Sequence, residues 1–256
     1  MQCGIVTSTS IMVPASHFRQ SCEYVARNKQ LDVGVHLTLN SEWSSQKWSP
    51  VLTTERVESL VDLRGYFHPT YAATMASACP SEARAELRAQ IECALSAGVD
   101  VTHLDSHMCV LHGKRADLRS VYLELAREYQ LPIRAARGVL MHWHGFSSLP
   151  AAAEEFGIVH PDYFGVLSRV RPRRCAAFWR ALLRRLPAGV TEISCHLADA
   201  TTELSDNSEE IYRRTAEFEF LSSAEARELV KERNIRLIGY RILREFMRTD
   251  TARRDM

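Results

Sequence analysis

Blocks of apolar residues alternate with amphipathic segments along the chain and predict strands separated by helices. The β-branched run over residues 5–13 and the nearly all-apolar run over residues 31–39 are typical of buried strands. Further strands are expected over residues 101–107, 131–135, 189–196 and 235–240, and helices over residues 16–29, 80–97, 118–129, 173–186, 224–233 and 241–248. This order predicts an α/β fold with a parallel sheet, either a barrel or doubly wound, whose functional site lies at the strand C-termini.

Two long segments, residues 40–80 and 138–171, lack a clear period and are expected to be irregular. A loop as long as the first segment is usually functional or acts as a lid in a compact domain. The first segment is rich in aromatic and proline residues, namely Trp43, Trp48, Pro50, Tyr66, Phe67, Pro69 and Tyr71. Its aromatic rings suit stacking on a sugar ring, and they suit the closing of a small core beneath the loop equally well.

The amino-acid composition limits which partners and which cellular compartment we expect. The chain has 256 residues, of which 46% are hydrophobic and 25% charged, with a formal net charge of +1. This near-neutral charge speaks against nucleic acid or a membrane surface as the main partner. No apolar run is long enough to span a membrane, and residues 1–10 lack the features of a signal peptide. Seven cysteines without a CxxC spacing favour free thiols in a reducing compartment, so we expect a cytoplasmic protein.

The segment Thr102–His107 carries the strongest candidate chemistry. On a strand, side chains alternate between faces, so His103, Asp105 and His107 are expected to project to the same side. Two imidazoles and a carboxylate on one face can hold a divalent metal or perform acid–base chemistry. The alternative is a hydrogen-bonded polar cluster that caps the sheet.

Two further histidines, His36 and His196, also come late in predicted strands. In a parallel sheet the C-terminal ends of the strands meet at one mouth, so both are expected to converge with His107. A lone histidine within an apolar strand is as readily a hydrogen-bonded core residue as a ligand. The expected convergence favours a functional role for all three.

Six motifs follow one another along nearly the whole chain: Gly4–Val13, Asp32–Leu39, Ser59–Asp62, Thr102–Met108, Glu192–His196 and Ile235–Ile238. Together they resemble the YdjC-like carbohydrate deacetylase family, which includes chitooligosaccharide and hopanoid-sugar deacetylases. The resemblance implies an irregular NodB-related (β/α) barrel. We therefore expect a single domain over residues 1–248, followed by a polar tail over residues 249–256.

The resemblance also implies metal-dependent removal of N-acetyl groups from a small acetylated amino sugar or oligosaccharide. The implied metal is Mg²⁺, held by His36, His107 and an aspartate. His103 and Asp105 then become supporting or catalytic groups, and His196 matches a histidine that could protonate the leaving amine. Ligand chemistry alone favours Zn²⁺ or another transition metal over Mg²⁺ at an imidazole-rich site.

The sequence departs from the family at one motif. Relatives normally begin with a strand that ends in an Ala-Asp-Asp-Phe-Gly type motif, and this sequence has none. The expected barrel therefore lacks its first strand and the acidic ligand, which weakens the binding of Mg²⁺, and its exposed strand edges favour a homo-oligomer. Two other functions stay open: a non-catalytic carbohydrate-binding or interaction protein derived from this fold, and a metal-dependent hydrolase of another amide or ester.

Overall fold

The computed structural model describes residues 4–139, 148–166, 170–199 and 208–254. The strands are β1 (Thr9–Ile11), β2 (Val33–Leu37), β3 (Val101–Ser106), β4 (Gly138–Val139), β5 (Tyr163–Val166) and β6 (Thr191–Ser194). The helices are α1 (Phe18–Arg27), α2 (Tyr71–Ser77), α3 (Pro80–Ser96), α4 (Ala116–Glu128), α5 (Leu149–Glu155), α6 (Cys175–Leu183), α7 (Ser208–Leu221), α8 (Ala224–Glu232) and α9 (Tyr240–Arg254).

The chain divides into two compact units. Unit 1 contains the described residues of 1–7, 138–142 and 161–238, and unit 2 contains those of 8–137, 143–160 and 239–256. The single domain predicted over residues 1–248 stays a prediction.

The sheet of unit 2 consists of β1, β2 and β3, which run parallel in that order. Ser10 pairs with Gly34 in the register of the first two strands, and His36 pairs with Asp105 in the register of the second and third. Because parallel strands end at the same edge, polar residues late in each strand are brought together there.

Helix α3 packs against β2 and α4 in unit 2. The helix begins with Pro80 and ends before Gly98, whose φ of 81° suits a helix terminus, as the sequence predicts. The largest fully buried side chains of this core include Leu37, Leu87, Ile91, Leu104, Leu118, Tyr122 and Leu125. Buried apolar residues fill β2, as expected for a parallel strand covered on both faces.

Unit 1 has a second parallel sheet in the order β4, β5, β6. Helix α6 packs against α7 and α8. The buried cluster of this unit consists of Ile5, Cys175, Trp179, Leu183, Phe220, Leu221, Ala226, Leu229 and Val230. The two sheets confirm the predicted mixed α/β class with parallel pairing. Of the helices that the structure describes, none has the length and apolar character needed to cross a bilayer.

Several predicted elements are shorter than expected or wrong. The strand expected over residues 5–13 is confined to β1, and residues 131–135 form only one bridge, between Leu104 and Ile133. The strand expected over residues 235–240 does not form, because this segment leads directly into α9. That helix continues through Arg254 and so includes most of the predicted polar tail. Helices α2, α5 and α7 lie in segments for which the sequence predicts no helix.

Candidate active site

A cluster of titratable side chains lies at the C-terminal edge of the unit 2 sheet. His36 and Asp105 are neighbours there because they pair in the register of β2 and β3. The third strand ends at Ser106, and a 3₁₀ helix begins at His107. The strand alternation predicted to align His103, Asp105 and His107 therefore stops one residue too early, and the position of His107 depends on the turn instead.

The backbone after His107 adopts an uncommon conformation. Met108 and Cys109 have φ values of 47° and 55°, in the left-handed region that residues other than glycine rarely occupy. Such conformations persist only where the surrounding structure holds them, and they concentrate at functional sites. Met108 is held in part by Asn40, whose side-chain amide donates to the Met108 sulfur at 3.2 Å.

Asp105 is the most enclosed group of the cluster, and three side chains contact its carboxylate. Arg134 Nη1 lies 2.7 Å away, His36 Nδ1 2.8 Å away with poor hydrogen-bond alignment, and the Ser10 hydroxyl donates at 3.1 Å. Burial alone would raise the pKa of Asp105, but the charge of Arg134 and the contact with His36 outweigh it and hold this pKa well below its usual range. An ionised carboxylate can only accept, so it favours the His36 tautomer that carries its proton on the facing Nδ1.

The other histidine of the cluster, His107, has a carboxylate of its own. Glu42 Oε2 lies 2.8 Å from His107 Nε2. Burial would raise the pKa of Glu42, but the hydrogen bond and the charge of His107 outweigh it, so this pKa is lowered. Trp48 approaches the same imidazole edge-on, with ring centroids 5.4 Å apart. One aromatic residue of the long loop thus borders the site, whereas Phe67 is fully buried in the core.

The remaining nitrogens of the two rings face each other. His107 Nδ1 lies 3.3 Å from His36 Nε2, and the ring planes are inclined at 73°. With a carboxylate at each outer nitrogen, the inner nitrogens both present lone pairs when the two rings are neutral. Two nitrogens bound to one tetrahedral Zn²⁺ at about 2.0–2.1 Å lie roughly 3.3–3.4 Å apart. The 3.3 Å separation of the two inner nitrogens therefore matches that of two ligands on one such ion.

A third protein ligand is not found in the part of the chain that the structure describes. Within residues 4–139, 148–166, 170–199 and 208–254, no three His, Cys, Asp or Glu side chains are grouped so that they could hold a metal ion. Glu42 contacts the outer nitrogen of His107 and not the inner one. The described site thus offers two imidazoles without the carboxylate oxygen that Mg²⁺ prefers.

The predicted catalytic residue His103 contacts residues outside the His36–Asp105–His107 cluster. Its ring stacks on Tyr240 at 4.0 Å, and its Nδ1 lies 3.0 Å from the Thr102 hydroxyl. Burial lowers the pKa of His103 to about 3, so the ring is neutral. The ring lies so close to β2 that a Cβ on Gly34 would be 2.6 Å from it, which explains the glycine there. A catalytic role for His103 stays a prediction.

The other predicted proton-transfer group, His196, belongs to unit 1 and follows β6. It is exposed, and its backbone amide donates to Glu217 Oε2 at 2.9 Å. The carboxyl of Glu217 is fully buried, and burial raises its pKa to about 7. The role of His196 as a proton donor stays a prediction.

Sequence reasoning missed three residues of the cluster. Ser10 belongs to a strand whose polar positions carry no distinctive pattern, and Glu42 lies in the irregular segment. Arg134 lies in the short segment that bridges to β3 through Ile133, so its approach to Asp105 follows from that pairing. A conspicuous signal was available only for Arg134, because a buried acid in a strand requires a cationic partner.

Comparisons with known proteins bear on this arrangement. A family model described as YdjC-like protein matches residues 1–232. The chain belongs to the YdjC-like family. The resemblance inferred from the motifs is thereby confirmed.

Relatives of this YdjC-like protein carry a functional name. A protein of Thermoanaerobacter pseudethanolicus named carbohydrate deacetylase is 29% identical over 245 residues, covering 94% of this chain and 89% of the relative. One of the same name from Enterococcus faecalis is 32% identical over 248 residues, covering 94% and 88%. The crystal structure of a proposed cellobiose-phosphate cleavage protein from Enterococcus faecalis superposes with a TM-score of 0.78 at 30% identity, covering 94% of this chain and 89% of that one.

Proposed function

We propose that this YdjC-like protein is a carbohydrate deacetylase that removes N-acetyl groups from small amino-sugar substrates. The observation that carries the proposal is the pair of imidazole nitrogens held 3.3 Å apart at the sheet edge. The names of the relatives supply the reaction and the class of substrate.

In this proposal His36 and His107 hold a divalent ion, and Zn²⁺ or another transition metal suits the two nitrogens better than Mg²⁺ does. A bound ion supplies Lewis-acid chemistry for the attack of water on the amide carbonyl. The contribution of the chain itself is orientation. Asp105, fixed by Arg134, holds the His36 ring so that its Nε2 faces the gap.

The second candidate is a non-catalytic carbohydrate-binding protein. The finding in its favour is that the described residues bring no third metal ligand to the two histidines. The irregular NodB-related barrel without its first strand, the cytoplasmic location and the homo-oligomer stay predictions.

The deciding experiment measures acetate released from N-acetylated chitooligosaccharides in the presence of Zn²⁺, Co²⁺, Ni²⁺ or Mg²⁺ in turn. We expect release with at least one transition metal, and its loss by at least 100-fold in His36→Ala and His107→Ala. The exposed histidine variant His17→Ala serves as the control and should keep full activity. If sugars bind but no acetate is released with any of the four metals, the protein is a non-catalytic carbohydrate-binding protein.

A further inference from the structure

Glu42 occupies the same position at His107 that Asp105 occupies at His36. Each carboxylate lies 2.8 Å from one ring nitrogen, with hydrogen-bond geometry at His107 and poor alignment at His36, and the other nitrogen of each ring faces the gap. The sequence motifs account for the two histidines and for Asp105. They do not account for Glu42, which comes from the loop after β2.

The loop around Glu42 is built to hold this position. Its neighbours Asn40 and Ser41 are completely buried. The Ser41 backbone amide donates to the His68 carbonyl at 2.9 Å, and the Ser41 hydroxyl accepts from the Trp48 backbone amide at 2.9 Å. These contacts fix the backbone on one side of Glu42, and they thereby help to hold its carboxylate against His107.

We propose that Glu42 is the positioning residue that keeps His107 in its Nε2–H tautomer, so that His36 Nε2 and His107 Nδ1 together form a paired nitrogen ligand for a divalent transition metal. The metal-binding part rests on the proposed function, whereas the assignment of the tautomer does not. Outer carboxylates of this kind orient metal-binding histidines and raise their basicity.

Glu42 prevents a hydrogen bond between the two histidines themselves. A His107 ring free to change tautomer can carry its proton on Nδ1 and donate it to His36 Nε2 across the 3.3 Å gap. The two imidazoles would then satisfy each other, and neither lone pair would remain for a metal. Removing the Glu42 carboxylate should therefore weaken metal binding without removing any ligand.

The first test observes the tautomers in the metal-free protein by long-range ¹H–¹⁵N correlation spectra of the histidine rings. We expect the Nδ1–H form for His36 and the Nε2–H form for His107 in the wild type. In Glu42→Ala we expect His107 to move toward the Nδ1–H form. An Nδ1–H form of His107 in the wild-type protein would overturn the assignment, whatever the variants do.

The second test measures Zn²⁺ affinity by competition with a chromogenic chelator. Loss of an outer-sphere partner typically costs about 10–100-fold in metal affinity, and we expect a loss of that size in Glu42→Ala. Glu42→Gln, whose amide carbonyl can still accept from Nε2–H, should lose less. Glu23→Ala removes an exposed glutamate from α1 and should bind as the wild type does.

The outcomes separate this inference from the proposed function. Equal Zn²⁺ affinity in the wild type and Glu42→Ala overturns the inference, as does a wild type that binds no Zn²⁺. Tight binding by the wild type, weakened in Glu42→Ala, supports it even if no substrate releases acetate. That last result would count against the deacetylase alone.

Discussion

The carboxylate of Asp105 has almost no contact with solvent, with only 1% of its side chain exposed, and yet it is ionised. The desolvation of a buried carboxylate costs several kcal/mol, so the ionised form depends on good partners. Arg134 supplies the charge, and Ser10 supplies a hydroxyl donor from β1, which lies on the other side of β2 in the sheet. The orientation of His36 rests on this arrangement, because the His36 ring contacts the same carboxylate.

Asp105→Asn should lower the free energy of unfolding by about 3–5 kcal/mol, the range for breaking a buried ion pair on one side. The amide removes the counter-charge of Arg134 and presents donors where only acceptors fit. Urea denaturation at neutral pH measures the effect. Ser10→Ala removes a single hydroxyl donor and should cost about 1 kcal/mol. Similar costs for the two variants would contradict the central role of the Asp105 charge.

For individual residues, the sequence predicts which side chains belong to the site better than it predicts which side chains contact them. His36 and Asp105 are identified by strand position and motif, because strand periodicity assigns side chains to faces. His107 lies beyond the end of β3 and is identified by its motif alone. Glu42 is not identified, because its position depends on the hydrogen bonds that fix Ser41 within the irregular loop. The partner of a site residue is thus set by tertiary contacts that no local pattern encodes.

The start of helix α9 is capped by a side chain from another element. Asp32 directly precedes β2, and its Oδ2 accepts from the backbone amide of Arg241 at 2.6 Å. Its other oxygen accepts from the Thr102 hydroxyl. The close approach requires Gly239, because a Cβ there would lie 2.3 Å from Asp32 Oδ2. A carboxylate at this end of a helix is also favoured by the helix dipole.

Asp32→Ala should lower the free energy of unfolding by about 2–3 kcal/mol, since it removes a helix cap and leaves the buried Thr102 hydroxyl without this acceptor. Asp100 also contacts α9, through Arg241 and Arg244, but 53% of its side chain is exposed. Asp100→Ala should therefore cost at most about 1 kcal/mol. Urea denaturation of both variants compares the two anchors, and a larger loss in Asp100→Ala would refute the capping role of Asp32.

Helix α7 shows why an element can escape a sequence-based prediction. Its inward face carries Arg213 and Glu217, which are buried and paired across one turn, with Arg213 Nη1 3.3 Å from Glu217 Oε1. Charged residues at buried positions interrupt the apolar period on which helix prediction depends. Elements with a regular apolar face, such as α3 and α4, are predicted to within a few residues.

At the scale of the whole molecule, acid changes the stability that buried titratable groups contribute, and it does so in opposite directions in the two units. In unit 2, burial lowers the pKa values of both His103 and His112 to about 3, below the value of about 6.5 expected when unfolded. The unfolded chain therefore binds these protons first, and the stability that both rings contribute above pH 6.5 is lost as the pH falls toward 3. In unit 1 burial raises the pKa of Glu217 to about 7, so its contribution is present below about pH 4.5 and is lost as the pH rises through 7.

His112→Gln should flatten the acid side of the stability profile. Each buried histidine contributes at most about 1.4 kcal/mol per pH unit between its two pKa values. Relative to His112→Gln, the wild type should therefore lose stability by up to that amount per unit as the pH falls from 6.5 to 4. Urea denaturation over this range gives the two slopes, and His17→Gln, at an exposed histidine, is the matched control.

Glu217→Gln should give the opposite sign in the same measurement. Its amide can still accept from the His196 backbone amide, but it cannot ionise, so the cost of burying a charge disappears. Relative to Glu217→Gln, the wild type should lose stability as the pH rises from 5 to 8, whereas His112→Gln affects only the acid range. If both variants shift the profile in the same direction, burial does not govern these groups and the charge of Arg213 dominates Glu217 instead.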